Sequence, residues 1–95
     1  KDNVVAQAVK TRKPKSTTDW RYIFAPELTA EEARLSQAGG AIGYSAVYPL
    51  KARDGGAIVY SYYQYPEEIG PEQKKFQKIY TTLIDKIIRH KTVFN

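Results

Sequence analysis

The 95-residue sequence contains no cysteine, no methionine, one histidine and one tryptophan. Without cysteine, the chain can form neither a disulfide framework nor a thiolate metal site, and this absence leaves the compartment unknown. Without methionine, Lys1 is not an initiator residue, so we expect a processed or trimmed chain. The apolar runs span only a few residues each, far below the roughly 18 to 20 that cross a bilayer. We therefore expect a soluble chain with no membrane insertion, whose fold depends on packing alone.

The sequence also lacks recognisable motifs for catalysis or for cofactor binding. His90 is the only histidine and lies at the expected end of a helix, where an exposed or capping role is more common than catalysis. Adjacent acidic pairs such as Glu31 and Glu32 diverge by about 100° on a helix, so they do not form a carboxylate dyad. The stretch AGGAIG, residues 38–43, follows a predicted helix and precedes a predicted strand, the reverse of the order in phosphate-binding loops. We therefore expect no enzymatic activity, no cofactor and no metal site.

Both ends of the chain are basic and its middle is acidic. The net charge of +5 divides into +4 for residues 1–21, −4 for residues 22–73 and +5 for residues 74–95. This layout favours an acidic partner, either nucleic acid or the acidic surface of a larger protein complex. Lysines on the back of a helix can also serve only as its solvated face, and both interpretations stay open for the C-terminal bases.

The segment KTRKPKSTTD, residues 10–19, has no apolar face to pack. Pro14 disfavours a helix here, and polar segments of this kind stay disordered or extended until a partner orders them. We therefore expect residues 1–18 to form a flexible basic arm, followed by a single domain over residues 19–95. The arm supplies four expected partner-binding residues, which are Lys10, Arg12, Lys13 and Lys15.

A strand and a helix are predicted in the first half of the domain. Residues 20–25 are rich in aromatic and branched side chains and end before a proline, which is typical of a strand. Thr29 and Glu32 have the spacing of a capping box, which predicts a helix from about Ala30 to Ala38. Gly39 suits the left-handed position that commonly ends a helix.

The second half of the domain predicts a hairpin and a long helix. Residues 41–48 and 57–65 alternate as strands do, and Asp54-Gly55 between them is a turn signal. Apolar residues then recur every three or four positions from Phe76 to Ile88, which predicts one stripe along a helix of about five turns. We expect this stripe to pack against the sheet. The resulting order is β-α-β-β-α, an α+β fold with two helices on one face of a three-stranded antiparallel sheet.

Four tyrosines lie in the second strand of this hairpin. Because successive residues alternate, Tyr60 and Tyr62 face one side of the sheet, while Tyr63 and Tyr65 face the other. Tyrosine is enriched on surfaces that are alternately wet and covered, so Tyr63 and Tyr65 are candidates for an interaction face. The alternative is that these rings only cover the sheet. Such a face could also pair with a second copy of the chain, so self-association stays open.

Residues 31–47, EEARLSQAGGAIGYSAV, resemble the end of the small phycobilisome linker domain, in which a helix with a glutamate and an arginine-aliphatic pair runs into Gly-Gly-x-Ile and a strand. The resemblance implies a basic, non-enzymatic protein that fills a cavity in a pigment-protein ring. It covers 17 of the 95 residues. The preceding aromatic segment is shorter in this chain, and the helix from Pro71 has no counterpart in the family.

Together, these features predict a non-enzymatic interaction or structural subunit that docks into a larger protein complex through the basic arm and the tyrosine-rich sheet face. The alternative is a nucleic-acid-binding domain for single strands or RNA, in which rings stack on bases while basic residues neutralise phosphates. The predicted partner-binding set also includes four residues of the C-terminal helix, which are Lys75, Lys78, Lys86 and Arg89.

Overall fold

The first half of the described chain is mainly helical, and the second half combines two paired strands with a long helix. The computed structural model describes residues 3–52 and 56–94. Within these residues, helices and a three-stranded antiparallel sheet give an α+β fold, as expected. The elements in chain order are α1 (Val4–Thr11), β1 (Lys15–Thr17), α2 (Arg21–Phe24), α3 (Ala30–Gly40), β2 (Tyr44–Pro49), β3 (Ala57–Tyr62), a 3-10 helix (Pro66–Glu68) and α4 (Pro71–Phe94).

The sheet has the strand order β1-β2-β3, and both strand pairs are antiparallel. The expected hairpin of β2 and β3 is confirmed, with Ala46 opposite Tyr60. Its predicted turn at Asp54-Gly55 lies outside the described residues. The third strand is not the predicted one, because it is β1 that pairs with β2, with Ser16 opposite Ala46. β2 is therefore the central strand of the sheet.

The N-terminal residues do not form the extended arm that their composition predicted. Asn3 caps α1 by accepting a hydrogen bond from the backbone N–H of Ala6 at 3.1 Å. Val4 and Ala8, which lie four residues apart on one side of α1, are buried against Val47 of β2. This short apolar face accounts for the difference, because it gives the segment something to pack before the basic residues begin. Residues 4–17 therefore belong to the packed fold.

The predicted strand over residues 20–25 is wrong, because Arg21–Phe24 form the short helix α2. Trp20 contacts the rest of the fold at two points: its backbone N–H donates to Gln37 Oε1 at 2.9 Å, and its Nε1 donates to Ser45 Oγ at 3.1 Å. The Phe24 ring meets the Trp20 ring edge-on at 5.0 Å, a contact between residues four apart that a helical turn permits. These tertiary contacts override the strand propensity of the aromatic residues.

Helix α3 begins as predicted and ends later than predicted. Its capping box is complete, since the Glu32 N–H donates to Thr29 Oγ1 at 3.1 Å and the Thr29 N–H donates to Glu32 Oε1 at 2.8 Å. The helix continues through Gly39 and ends at Gly40, and the next residue, Ala41, takes the left-handed conformation with a φ of 56°. The backbone N–H of Ala41 donates to carbonyls of the last turn, so this residue takes the role expected of the glycine.

Of the two predicted helices, α4 lies on one face of the sheet, and the helix α1, which was not predicted, lies on the opposite face. Ser45 and Val47 of β2 point toward α1 and Trp20. Tyr60 and Tyr62 of β3 point to the other face, where their hydroxyls contact α4. On the face opposite these tyrosines, α1 covers β2, while Val59 and Ser61 of β3 are exposed. β2 is buried on both sides, in the middle layer of a helix-sheet-helix arrangement.

Candidate interaction surface

Helix α4 packs on the sheet through polar side chains. Asp85 is 4% exposed, and its two carboxylate oxygens accept hydrogen bonds from the backbone N–H groups of Lys51 at 2.7 Å and Ala52 at 2.8 Å. The buried side chains of Thr81 and Gln77 lie one and two turns earlier, respectively, on the same side of the helix. Because buried polar groups must be paired, these bonds hold α4 in one rotation about its axis.

The tyrosines of β3 supply the partners for this polar side. Tyr60 Oη and Thr81 Oγ1 share a hydrogen bond of 2.6 Å, and Gln77 Nε2 donates to Tyr62 Oη at 3.0 Å. Tyrosine suits this role because its ring reaches across the layer while its hydroxyl still finds a polar partner. Tyr60 and Tyr62 therefore face the same side of the sheet, as their alternation predicted.

Most of the large apolar side chains of α4 are exposed, which corrects the expectation that they pack on the sheet; only Ile84 and Ile88 of the predicted stripe are half-buried. The spacing of three and four residues places the exposed side chains on one side of the helix, and we call this set the apolar stripe. The apolar stripe consists of Phe76, Ile79, Tyr80, Leu83 and Ile87, which are 55%, 57%, 40%, 50% and 53% exposed. A contiguous exposed patch of this kind marks an interaction site more often than it marks ordinary surface.

The apolar stripe is connected to the sheet by aromatic rings. The Tyr60 ring meets the rings of Phe76 and Tyr80 edge-on, each at 6.3 Å, and meets Tyr48 in the same way at 5.6 Å. Phe76 and Tyr80 stack on each other at 5.5 Å. Such ring contacts stabilise by about 0.5 to 1.5 kcal/mol each beyond their buried area. One side of the apolar stripe is thereby fixed in position before any partner binds.

Two tyrosines of this cluster have perturbed ionisation. Burial raises the pKa of Tyr48 above its ordinary value. Burial also raises the pKa of Tyr60, and the hydrogen bond to Thr81 opposes that shift in part. A raised tyrosine pKa means that the folded state holds its proton more tightly than the unfolded state. The associated stability is present below pH ~10 and is lost as the pH rises through the folded-state pKa.

We predict that ultraviolet titration of the phenol groups will show a late component above pH ~10 in the folded protein. Tyr60→Phe and Tyr48→Phe should each reduce this component and flatten the loss of stability at alkaline pH. The control is the wild-type chain in concentrated urea, in which the late component should disappear because the burial is lost. A late component that persists in urea would contradict the assignment.

The predicted basic residues separate into two groups. Arg12, Lys78 and Arg89 line one groove between the end of α1, the end of β2 and α4, together with Lys51, which the sequence had not singled out. Asp85 contributes to the same groove. The remaining predicted bases are exposed or, for Lys15 in β1, half-buried, and none of them lines this groove; they are Lys10, Lys13, Lys15, Lys75 and Lys86. The structure thus places basic residues from both ends of the chain side by side.

Tyr63 and Tyr65 are 78% and 61% exposed, respectively. They follow the end of β3, so they are not part of the sheet face to which the alternation had assigned them. Both line a shallow hollow beside Arg34 and Ile42, apart from the groove that holds Arg12 and Lys78. The two exposed tyrosines and the groove bases therefore lie on separate surfaces.

Neither a membrane-spanning helix nor a metal-binding cluster is found among the described residues. Across residues 3–52 and 56–94, the helices fall short of the length and apolarity that a membrane span needs. The same ranges contain no cluster of three or more histidine, cysteine, aspartate or glutamate residues suited to a metal ion. Comparisons with protein-family models, curated proteins and solved structures found no match. The resemblance of residues 31–47 to the phycobilisome linker domain is therefore not supported by a family match.

Proposed function

We propose that the chain is a non-enzymatic interaction subunit that docks into a larger protein assembly, with the apolar stripe of α4 as its main contact surface. The observation that supports the proposal most directly is the rotation of α4 about its axis, which turns polar residues toward the sheet and the apolar stripe toward solvent. Gln77, Thr81 and Asp85 are buried and hydrogen-bonded, with Ile84 and Ile88 half-buried, while the five residues of the apolar stripe face solvent. Exposing the apolar stripe costs free energy that a partner would recover by covering it, at about 25 cal/mol per Å² of apolar area.

The surroundings of the apolar stripe suit a protein partner with an acidic rim. Lys78 and Lys86 border a shallow depression whose floor contains Ile79 and Leu83. Protein interfaces commonly have an apolar, aromatic centre and a charged rim that orients the partner and speeds association. In this proposal the rings and aliphatic side chains supply affinity, while the lysines select for an acidic partner.

The direct test is capture of partners from a native lysate by the immobilised chain and by two matched variants. Leu83→Lys places a charge in the apolar stripe, and Leu35→Lys makes the same change on α3, where Leu35 is 58% exposed. We expect the wild type and Leu35→Lys to retain the same defined set of proteins. Leu83→Lys should capture at least about tenfold less of these proteins. Both variants should unfold within ~0.5 kcal/mol of the wild type, because both positions are exposed.

Equal retention by Leu83→Lys and Leu35→Lys would contradict the proposed role of the apolar stripe. The capture is repeated after nuclease treatment, because proteins that are held through a shared nucleic acid would then be lost. A protein set that survives nuclease and depends on Leu83 supports the proposal.

Nucleic-acid binding is the second candidate function, and the basic groove is the observation that favours it. Arg12 from the end of α1 and Lys78 and Arg89 from α4 are brought together there, as phosphate contacts would require. The exposed rings of Tyr63 and Tyr65 would offer stacking surfaces, although they lie elsewhere. In that case affinity should fall by orders of magnitude between about 50 and 200 mM salt, whereas binding at the apolar stripe should change much less.

A further inference from the structure

We infer that a second copy of this chain is an occupant of the apolar stripe, in a two-fold dimer that joins β3 edge to edge and packs α4 against its symmetry mate. This inference rests on the proposed function, since it names a partner for the same surface. It also depends on features of β3 that the proposed function does not use.

The first feature is the outer edge of β3. Among the described residues, β3 pairs with β2 alone. The backbone N–H of Leu50 donates to the carbonyl oxygen of Gly56 at 2.8 Å. This bond fixes which residue pairs of the antiparallel ladder are hydrogen-bonded and which are not. The residues that exchange backbone bonds with β2 are then Gly56 and every second residue after it. The backbone groups of Ala57, Val59 and Ser61 point to the outer edge.

The two edges of the sheet are built differently. β1 at one edge has three residues, begins with Lys15 and follows Pro14, features that discourage pairing with another chain. β3 at the other edge has six residues without a charge or a proline. Long, uncharged edge strands of this kind are the ones that accept a further strand.

The second feature is that the apolar stripe lies on the β3 side of α4. One flank of α4, with Lys78 and Thr82, lies beside Tyr48 and Pro49 of β2. The other flank, with Phe76 and Tyr80, lies beside the ring of Tyr60 on β3. The open strand edge and the exposed apolar side chains therefore face the same direction.

The third feature is that a single two-fold axis can pair both the outer edge of β3 and the apolar stripe with their copies in a second chain. Gln77 contacts Tyr62 and Thr81 contacts Tyr60, so α4 runs antiparallel to β3. The middle of β3 lies between Val59 and Tyr60, next to Thr81, and the apolar stripe is centred on the same part of α4. A two-fold axis beside the middle of β3 would therefore place each apolar stripe opposite its own copy, which a self-complementary interface requires.

The spacing of the layers is consistent with this pairing. α4 contacts the β2 side through Asp85 and the β3 side through Thr81, and its backbone approaches β2 more closely than β3. Strands are about 4.8 Å apart, so joining two β3 edges would bring the two α4 axes to roughly 10 to 14 Å from each other. Directly packed helices are roughly 8 to 10 Å apart, so the contact would be made by the large side chains of the two apolar stripes.

Area and charge also favour a second copy. Five side chains that are each about half exposed offer roughly 400 to 500 Å² per copy. Two copies would bury about 800 to 1,000 Å² from the apolar stripes, and the joined strand edges bring the total near the ~1,200 Å² of the smaller stable interfaces. The segment from Ala57 to Tyr65 carries no charge, so the joined strand edges bring no like charges together. Lys78 and Lys86 border the apolar stripe and would lie at the rim of the dimer interface.

The test is the mass of the purified chain in solution, measured by sedimentation from low micromolar to several hundred micromolar protein. We expect a concentration-dependent dimer for the wild type and for Leu35→Lys. Leu83→Lys should raise the dimer dissociation constant at least about tenfold, because it would bury a lysine between two apolar surfaces.

A cysteine placed at the proposed axis tests the strand pairing separately. The chain has no cysteine of its own, so Val59→Cys introduces a single thiol. Opposed residues of a hydrogen-bonded antiparallel pair have Cα atoms about 5.5 Å apart, within the range that a disulfide spans. Mild oxidation should cross-link Val59→Cys much faster than the control Leu35→Cys, whose position is on α3.

A wild type that stays monomeric throughout, with equal cross-linking of the two cysteine variants, would overturn the dimer. If Leu83→Lys nevertheless loses captured proteins that Leu35→Lys keeps, the proposed docking function stands without the dimer. A dimer that is unaffected by Leu83→Lys would also overturn the inference, because the apolar stripe would then lie outside the interface.

Discussion

Replacing Asp85 by alanine should lower the free energy of unfolding by about 3 kcal/mol. The carboxylate accepts two backbone hydrogen bonds, from Lys51 and from Ala52, at the point where the chain leaves β2. Hydrogen bonds to charged groups are worth about 1.5 to 3 kcal/mol each, and the substitution would leave the buried N–H of Ala52 without an acceptor. The loss should be measured by urea unfolding monitored by circular dichroism.

Asp85→Asn is the matched variant for this experiment. Its side chain has nearly the same shape but offers one carbonyl oxygen as acceptor, so it should keep one of the two bonds. We expect its stability to lie between those of the wild type and Asp85→Ala. An alanine variant that unfolds within ~0.5 kcal/mol of the wild type would show that α4 is not held by this contact.

The second large effect is expected at Gly43, directly before β2. A Cβ atom built on this residue would lie 2.7 Å from the carbonyl oxygen of Gln64 and 2.9 Å from that of Tyr63. Both neighbours are backbone atoms and cannot rotate away. The Gly43 N–H also donates to the carbonyl oxygen of Tyr62 at 2.8 Å, which holds the start of β2 close to the end of β3. Gly43→Ala should therefore destabilise the fold by about 2 to 3 kcal/mol, measured by thermal and urea unfolding.

Gly39→Ala provides the control, because it makes the same chemical change in the opposite setting. Gly39 lies within α3, and a Cβ atom there would meet nothing within 4 Å. Alanine should raise stability at this position by about 0.5 to 1 kcal/mol, since glycine is a poor helix former. If both alanine variants changed stability in the same direction, the close approach at Gly43 would not be the reason for its glycine.

The elements that were predictable from sequence are those with strong local signals. The capping box of Thr29 and Glu32 located the start of α3, and the alternating residues located β2 and β3. The three- and four-residue spacing after Phe76 located α4. In each case the signal depends on neighbours along the chain, so no tertiary contact was needed to read it.

The elements that were missed depend on distant contacts. α2 owes its form to Trp20, whose partners Gln37 and Ser45 lie 17 and 25 residues away. α1 did have a local signal in the spacing of Val4 and Ala8, but the basic residues that follow obscured it. Composition over a whole segment was a poorer guide there than the spacing of two small apolar residues.

The apolar side of α4 was identified from the sequence but was predicted to pack on the sheet, whereas the structure leaves most of it exposed. Periodicity shows that α4 has an apolar side, but it does not show which side is covered. A signal for the answer was present, because Gln77, Thr81 and Asp85 form a second stripe with a spacing of four. Hydroxyl-bearing tyrosines at alternate positions of β3 are the partners such a stripe needs. Reading the two patterns together would have predicted a polar layer between helix and sheet.

The position of Trp20 gives the two faces of the sheet separate optical reporters. Trp20 is the only tryptophan, and its indole donates to Ser45 on the α1 face. The rings of Tyr48 and Tyr60 belong to the α4 face. Tryptophan fluorescence in the unmodified protein therefore follows the α1 layer, while the near-ultraviolet dichroism of the tyrosine cluster is sensitive to the α4 layer. Coincident unfolding curves from the two signals would show that both layers melt as one cooperative unit, and separated curves would show that either helix can leave the sheet alone.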